Sequence, residues 1–176
     1  GTPHADNVGP SLLGGVVLLR GYEPLDVVRL PVPERFCCTV AHPAIMVSTR
    51  EAREVLPREI PLRSAVSQWG NVGGLVAGLM SGDVELVGRS MRDVVAEPHR
   101  KRFIPGFDSL RDAVLEAGAL AMNISGAGPS VFALSSSMET AARVGEVMKA
   151  HFADRGISSD IYASKVSNRG ARVLND

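Results

Sequence analysis

Residues Met122-Asn123-Ile124-Ser125-Gly126-Ala127-Gly128-Pro129-Ser130 constrain this chain more than any other stretch. Two glycines around one alanine leave a backbone with almost no side-chain screen, so a ligand or a neighbouring strand can come close to its amides. The residues after the glycines narrow the reading. Ser130-Val131-Phe132-Ala133-Leu134-Ser135 reads as a short apolar strand, whereas the glycine loops that hold phosphates run into a helix whose N-terminus faces the anion. By itself the motif is a tight connection between two buried strands, not a complete phosphate loop.

Length and charge bound the partners. A chain of 176 residues holds one domain, or one domain plus a piece of another. Lys plus Arg equals Asp plus Glu at 19 each, so no bulk field draws it to nucleic acid or to an anionic membrane. There is no apolar run of the roughly 18 to 20 residues that crosses a bilayer. The expected partner is a small molecule. The two cysteines, Cys37 and Cys38, are adjacent and too close for an unstrained disulfide, which predicts reduced thiols and an intracellular setting. Gly1-Thr2-Pro3 is neither an initiator methionine nor a targeting segment, so the expectation is a chain that begins in mid-protein.

In order, a polar span His4 to Pro10 with possible caps at Asp6 or Asn7 leads through Ser11-Leu12-Leu13 to two strands, Val16 to Arg20 and Leu25 to Val32. These residues, 1–32, read as the last helix and hairpin of one domain. Pro31-Val32-Pro33-Glu34 makes a stiff boundary, and 33–176 is the second domain. It opens with a strand, Phe36 to His42, and a short helix capped by Ser48 with Glu51. Leu62, Ala65, Val66, Trp69, Val72, Val76, Leu79 and Met80 recur at helical spacing, and Gly70, Gly73, Gly74 and Gly78 within that helix imply close packing against it; core is favoured over a dimer face. Asp83 is expected to cap a helix running through Val94 and stopping at Glu97-Pro98, and Asp108 one ending at Gly118. Strands Ala119 to Ile124 and Ser130 to Leu134 flank the glycine loop. A helix capped by Ser136 with Glu139 and a strand Ser158 to Ser167 close the chain. Helices on one face of a small antiparallel sheet make an α+β layer.

Three polar clusters accompany the loop. His4, Asp6 and Asn7 are one, Thr49 with Arg53 the second, and Glu97-Pro98-His99-Arg100, read as a helix end, the third. Arg53 and Arg100 can form a guanidinium fork for a carboxylate, a geometry lysine cannot reproduce. Asn7 has a donor and an acceptor with which to orient a hydroxyl, and the Ser125 to Gly128 amides can face a phosphate. A small molecule with a carboxylate, a hydroxyl and an incoming phosphoryl group would use them all. No Cys and His spacing suggests a metal site, and no serine sits on a nucleophile elbow.

His4-Ala5-Asp6-Asn7-Val8, Val47-Ser48-Thr49 with Glu51-Ala52-Arg53, Ala96-Glu97-Pro98-His99-Arg100 with Ile104-Pro105-Gly106, Ile124 to Ser130, and Gly170-Ala171-Arg172-Val173 resemble, in order, the homoserine kinase family. That family lies in the superfamily of galactokinase, homoserine kinase, mevalonate kinase and phosphomevalonate kinase. The resemblance covers only the later part of such an enzyme and lacks its Pro-x-x-x-Gly-Leu-Gly-Ser-Ser-Ala phosphate loop. It implies a ferredoxin-like two-layer sandwich after the tail of a nucleotide-binding domain. It also implies a cytoplasmic or plastid enzyme of threonine biosynthesis, homodimeric when intact, that phosphorylates L-homoserine with ATP and Mg²⁺, both bound mainly by the N-terminal part. Carried over by position, Asn7 contacts the reacting hydroxyl with His4 beside it, and Thr49 lies near the phosphoryl group. Arg53 and Arg100 hold the carboxylate, and Gly126, Ala127 and Gly128 close over the substrate. Two other readings stand beside it: another small-alcohol kinase of the superfamily, and a non-catalytic amino-acid-binding or dimerising module.

Overall fold

A computed structural model describes residues 4–173, so Gly1–Pro3 and Leu174–Asp176, the outer ends of the two expected domains, lie outside the described residues. Helix α1 (Ala5–Leu13) leads into the antiparallel hairpin β1 (Val16–Tyr22) and β2 (Leu25–Leu30). Strand β3 (Cys37–Pro43) comes next, then α2 (Thr49–Glu54), α3 (Leu62–Ser81), α4 (Val84–Ser90), α5 (Glu97–Arg100) and α6 (Phe107–Glu116). The chain then runs through β4 (Ala121–Ile124), β5 (Val131–Ser135), α7 (Met138–Ala153) and β6 (Ser159–Lys165).

Strands β3 to β6 form one antiparallel sheet in the order β4-β5-β3-β6. With α6 between β3 and β4 and α7 between β5 and β6, this is the expected α+β sandwich of ferredoxin type. Period-two alternation places Thr39 and Ala41 under α7, where the buried Thr39 hydroxyl donates to the Ala141 carbonyl at 2.8 Å. Val114, Met122, Val131, Val144, Met148 and Phe152 fill that side of the sheet. A second cluster of Phe36, Leu79, Val87 and Leu134 draws in Val16, Leu30 and Val32, and so ties α3, α4 and the hairpin to the far side.

Several helix boundaries differ from expectation for local reasons. His4, not Asp6 or Asn7, occupies the N-cap position of α1, and it makes no side-chain cap. The helix begun at Asp83 stops at Ser90 instead of Val94. Asp93 turns its carboxylate onto the amides of Val95, Ala96 and Glu97, at 2.8, 2.8 and 3.2 Å, which ends one helix and starts the next. Glu97-Pro98 is therefore the first turn of α5 rather than a helix end, a position that suits proline. Asp108 pairs with Lys101, leaving Gly106 at φ +70° to open α6. The cap of α7 is Ser137, one residue beyond Ser136, and its hydroxyl accepts from the Thr140 amide at 3.1 Å.

The largest departure is α3. Of its 20 residues only Gly78 and Leu79 are buried, so the expectation of a core helix holds for one side of it, packed through Leu75 and Leu79, and not for the other. Gly74 and Gly78 do admit α4, through Ser90 and Val87, whereas a Cβ at Gly70 or Gly73 would meet nothing within 4 Å. No helix among the described residues is long and apolar enough to cross a membrane.

Candidate functional site

The glycine loop is a closed turn. The Ser125 amide donates to the Ser130 carbonyl at 2.8 Å, and that of Gly128 to the Ser125 carbonyl at 3.0 Å. Gly126 and Gly128 take φ of +58° and +82°, a region costly for residues with a Cβ. The closure corrects the expectation of four outward amides. Those of Ser125 and Gly128 are engaged within the turn, which leaves Gly126 and Ala127 as the amides available to a ligand.

Arg100 pins this loop to α2. Its Nε donates to the Ala52 carbonyl at 3.1 Å and one terminal nitrogen to the Gly126 carbonyl at 3.0 Å, while the side chain is half-buried. Layers of contact beneath hold it there. Glu97, 7% exposed, forms an ion pair with Arg111, whose guanidinium lies 4.7 Å from the Phe107 ring centroid. Asn71 donates to the Arg92 carbonyl at 2.7 Å and the Val94 amide donates to Gln68 at 2.9 Å, fastening the segment before α5 onto α3.

Between these elements lies a cavity of about 190 Å³ lined by Asp93, Glu97, Arg100, Asn123, Ile124, Gly126 and Phe132. Asn123 Oδ1 is buried without a hydrogen-bond partner among the described residues, an arrangement that costs about 1 to 3 kcal/mol. In the sequence Asn123 stands out only as part of the motif; its acceptor role arises from its place opposite Phe132 in the sheet register. His42 does not stand out at all, yet its Nδ1 is 2.8 Å from the Ser130 hydroxyl at the base of the loop. A histidine ahead of Pro43, at the end of a strand paired to the one after the loop, was the available signal.

Arg100 and Gly126 are thus brought together, and Thr49 and Arg53 sit one turn apart on α2, the helix that Arg100 grips. Both are exposed, and Arg53 makes no ion pair among the described residues. Gly128 packs towards Ile124 and Ile104, and Ala127 is half-buried beside it. His4 and Asn7 stand apart on α1. Asn7 donates to Asp6 at 3.2 Å, and no described hydrogen bond joins either residue to the Arg100 cluster. Among the described residues no three His, Cys, Asp or Glu side chains converge as a metal cage.

The Arg100 guanidinium, Asn123 and Gly126 around one small cavity suit a small molecule carrying hydrogen-bond acceptors. Residues 75–154 match the family model described as GHMP kinases C terminal. A homoserine kinase of Chlorobium phaeobacteroides (strain BS1) is 51% identical over 176 residues, 99% of this chain and 55% of that protein. One of Pyrococcus abyssi is 40% identical, over 98% of this chain and 56% of its own length. Among solved structures, homoserine kinase of Cytophaga hutchinsonii superposes with a TM-score of 0.96 at 54% identity, covering 98% of this chain and 55% of that one. Mevalonate kinase of L. major, at 18% identity and a TM-score of 0.71, shares the fold. The chain spans about half the length of the curated relatives it matches.

Proposed function

We propose that this chain belongs with the GHMP kinases, as the counterpart of the C-terminal part of homoserine kinases, and that it forms the substrate-side wall of an ATP-dependent homoserine kinase. Residues 33–176 are then the C-terminal α+β domain, and 1–32 the tail of a nucleotide-binding domain supplied by the rest of the intact protein. The reaction moves the γ-phosphoryl group of ATP to the side-chain hydroxyl of L-homoserine. The hydroxyl loses its proton, and ADP and O-phospho-L-homoserine, a precursor of threonine, are the products. The intact enzyme acts as a soluble homodimer in the cytoplasm or plastid stroma.

The observation that carries this reading is the Arg100 bridge. Its guanidinium joins the helix of Thr49 and Arg53 to the glycine loop while lining the cavity, so a carboxylate bound there would couple all three segments. Arg53, exposed on α2, supplies the second arm of the carboxylate fork. Thr49 lies a turn away, towards the phosphoryl group, and Gly126, Ala127 and Gly128 cover the substrate. Asn7 orients the hydroxyl and His4 flanks it, carried by the nucleotide domain. No group here is an evident general base, which fits phosphoryl transfer, where alignment and charge neutralisation supply most of the rate. Mg²⁺, held outside this chain, would neutralise the ATP phosphates.

The 176-residue chain on its own is expected to form no ADP from ATP and homoserine, having no phosphate loop. In the intact enzyme, Arg100→Lys is expected to weaken homoserine binding by about 1.5 to 3 kcal/mol, the range for losing a hydrogen bond to a charged group. An unchanged KM for homoserine would remove Arg100 from the site, and ADP formation by the chain alone would refute the division of labour.

A further inference from the structure

We propose that the cleft between α4 and α6, at the free edge of β4, is a second ligand site, one that takes a small organic phosphate monoester and, through Glu97, weakens the hold of Arg100 on substrate. Strand β4 is an outer strand in the order β4-β5-β3-β6, so one of its edges has no partner strand. Against that edge lies a cavity of about 250 Å³ whose walls include Arg89, Arg92 and Arg111 together with Met91, Leu115 and Leu120. Gly88 sets how close α4 comes. A Cβ there would stand 2.8 Å from the Leu120 carbonyl oxygen, so the bare glycine lets the last turn of α4, which carries Arg89, reach the strand. Arg111 enters from α6 and donates to the Met122 carbonyl at 3.4 Å.

Charge and shape select the occupant. Three arginines line the cavity, and among the described residues no Asp or Glu does. Arg89 and Arg92 make no ion pair among the described residues, although Glu85 stands one turn before Arg89. Like charges facing one cleft concentrate a positive potential in it, which an anion relieves. Two unpaired cations match a dianion, and a phosphate monoester carries about −1.5 to −2 charges at neutral pH on oxygens suited to guanidinium forks. Met91, Leu115 and Leu120 make the rest of the wall apolar, which favours an organic phosphate over inorganic phosphate. The link to the first cavity is one ion pair. Arg111 is the partner of the buried Glu97, and Glu97 lines the same cavity as Arg100, three residues further along α5. An anion that draws Arg111 to itself leaves a buried carboxylate without its cation, and Arg100 is the cation that shares its cavity. Arg100 so engaged attracts a substrate carboxylate less, and by linkage substrate weakens the anion by the same factor. This coupling rests on the proposed function; the site itself does not.

Calorimetric titration of the intact protein with phenyl phosphate and with inorganic phosphate, a non-hydrolysable ATP analogue filling the nucleotide site, tests the proposal. Phenyl phosphate is expected to bind at a single site, roughly fivefold or more tightly than inorganic phosphate. Arg89→Gln combined with Arg92→Gln, both at exposed positions, is expected to weaken it roughly tenfold or more. The same double substitution is expected to leave the circular dichroism unchanged, and with it the KM for homoserine measured without phenyl phosphate. Saturating phenyl phosphate is expected to raise that KM roughly fivefold in the wild type and to leave it unmoved in the double variant. No binding, binding that the double variant retains, or inorganic phosphate bound as tightly overturns the site. A KM indifferent to bound phenyl phosphate overturns the coupling. Binding is read without turnover, so failure of the site is separable from failure of the kinase reading, which shows as phenyl phosphate bound with no homoserine-dependent ADP formation.

Discussion

The glycine loop at Ser125–Ser130 and helix α3 hold glycine for opposite reasons. In the loop, Gly126 and Gly128 are needed for their dihedral angles, +58° and +82°; around Gly126 there is room for a side chain, but the backbone disfavours one. In α3 all four glycines have ordinary helical angles, and what differs is the space above them. Val87 and the Asp83 carbonyl stand 2.9 to 3.0 Å from a Cβ at Gly78, whereas Gly70 and Gly73 face nothing. Loop glycines therefore set a conformation, two of the helix glycines admit a neighbour already present, and the other two lie on a face with none. A count of glycines cannot separate these cases; substitution by alanine can.

The largest effect is expected at Gly78. Alanine there meets backbone atoms that cannot rotate away, and overpacking should destabilise the fold by about 2 kcal/mol, read from denaturant unfolding. Next comes Gly126→Ala, at about 1 kcal/mol for a left-handed residue with free space around it. Equal costs at Gly78 and Gly126 would erase the distinction between steric and conformational glycine. His42→Ala should cost the loop about 1 kcal/mol or less, appearing as roughly fivefold faster hydrogen exchange at the Ser125 amide with strand amides unchanged. Unchanged exchange at Ser125 would show that the Ser130 hydroxyl does not steady the loop. Smallest, and of opposite sign, Gly70→Ala should stabilise the helix by up to about 1 kcal/mol, since nothing stands in the way. A loss there would mean that the exposed face is occupied in the monomer.

Periodic elements were legible in the sequence because a period is a local property. The apolar run Phe36 to His42 and the spacing in Leu62 to Met80 both became elements of the expected kind, within a residue of the expected ends, and the strand after the loop excluded a phosphate-binding helix start. Caps were less legible. Asp93 and Asp108 are both acids near a helix start, yet one caps three amides and the other pairs with Lys101, a choice made by the folded surroundings. The face of α3 was not readable either, because apolar spacing states that a stripe is to be covered and not which molecule covers it. At the site, Arg100 and Gly126 were legible as motifs, whereas Asn123 and His42 acquired meaning only through sheet register.

The central claim is that Arg100, held between Ala52 and Gly126, reads a substrate carboxylate. It is tested most directly in the intact enzyme by comparing kcat/KM for L-homoserine with that for 3-amino-1-propanol, the same molecule without its carboxylate, in wild type and in Arg100→Ala. The wild type is expected to prefer homoserine, and the substitution to erase about 1.5 to 3 kcal/mol of that preference, roughly ten- to 150-fold, while changing the analogue little. A preference that survives Arg100→Ala undiminished would contradict the account.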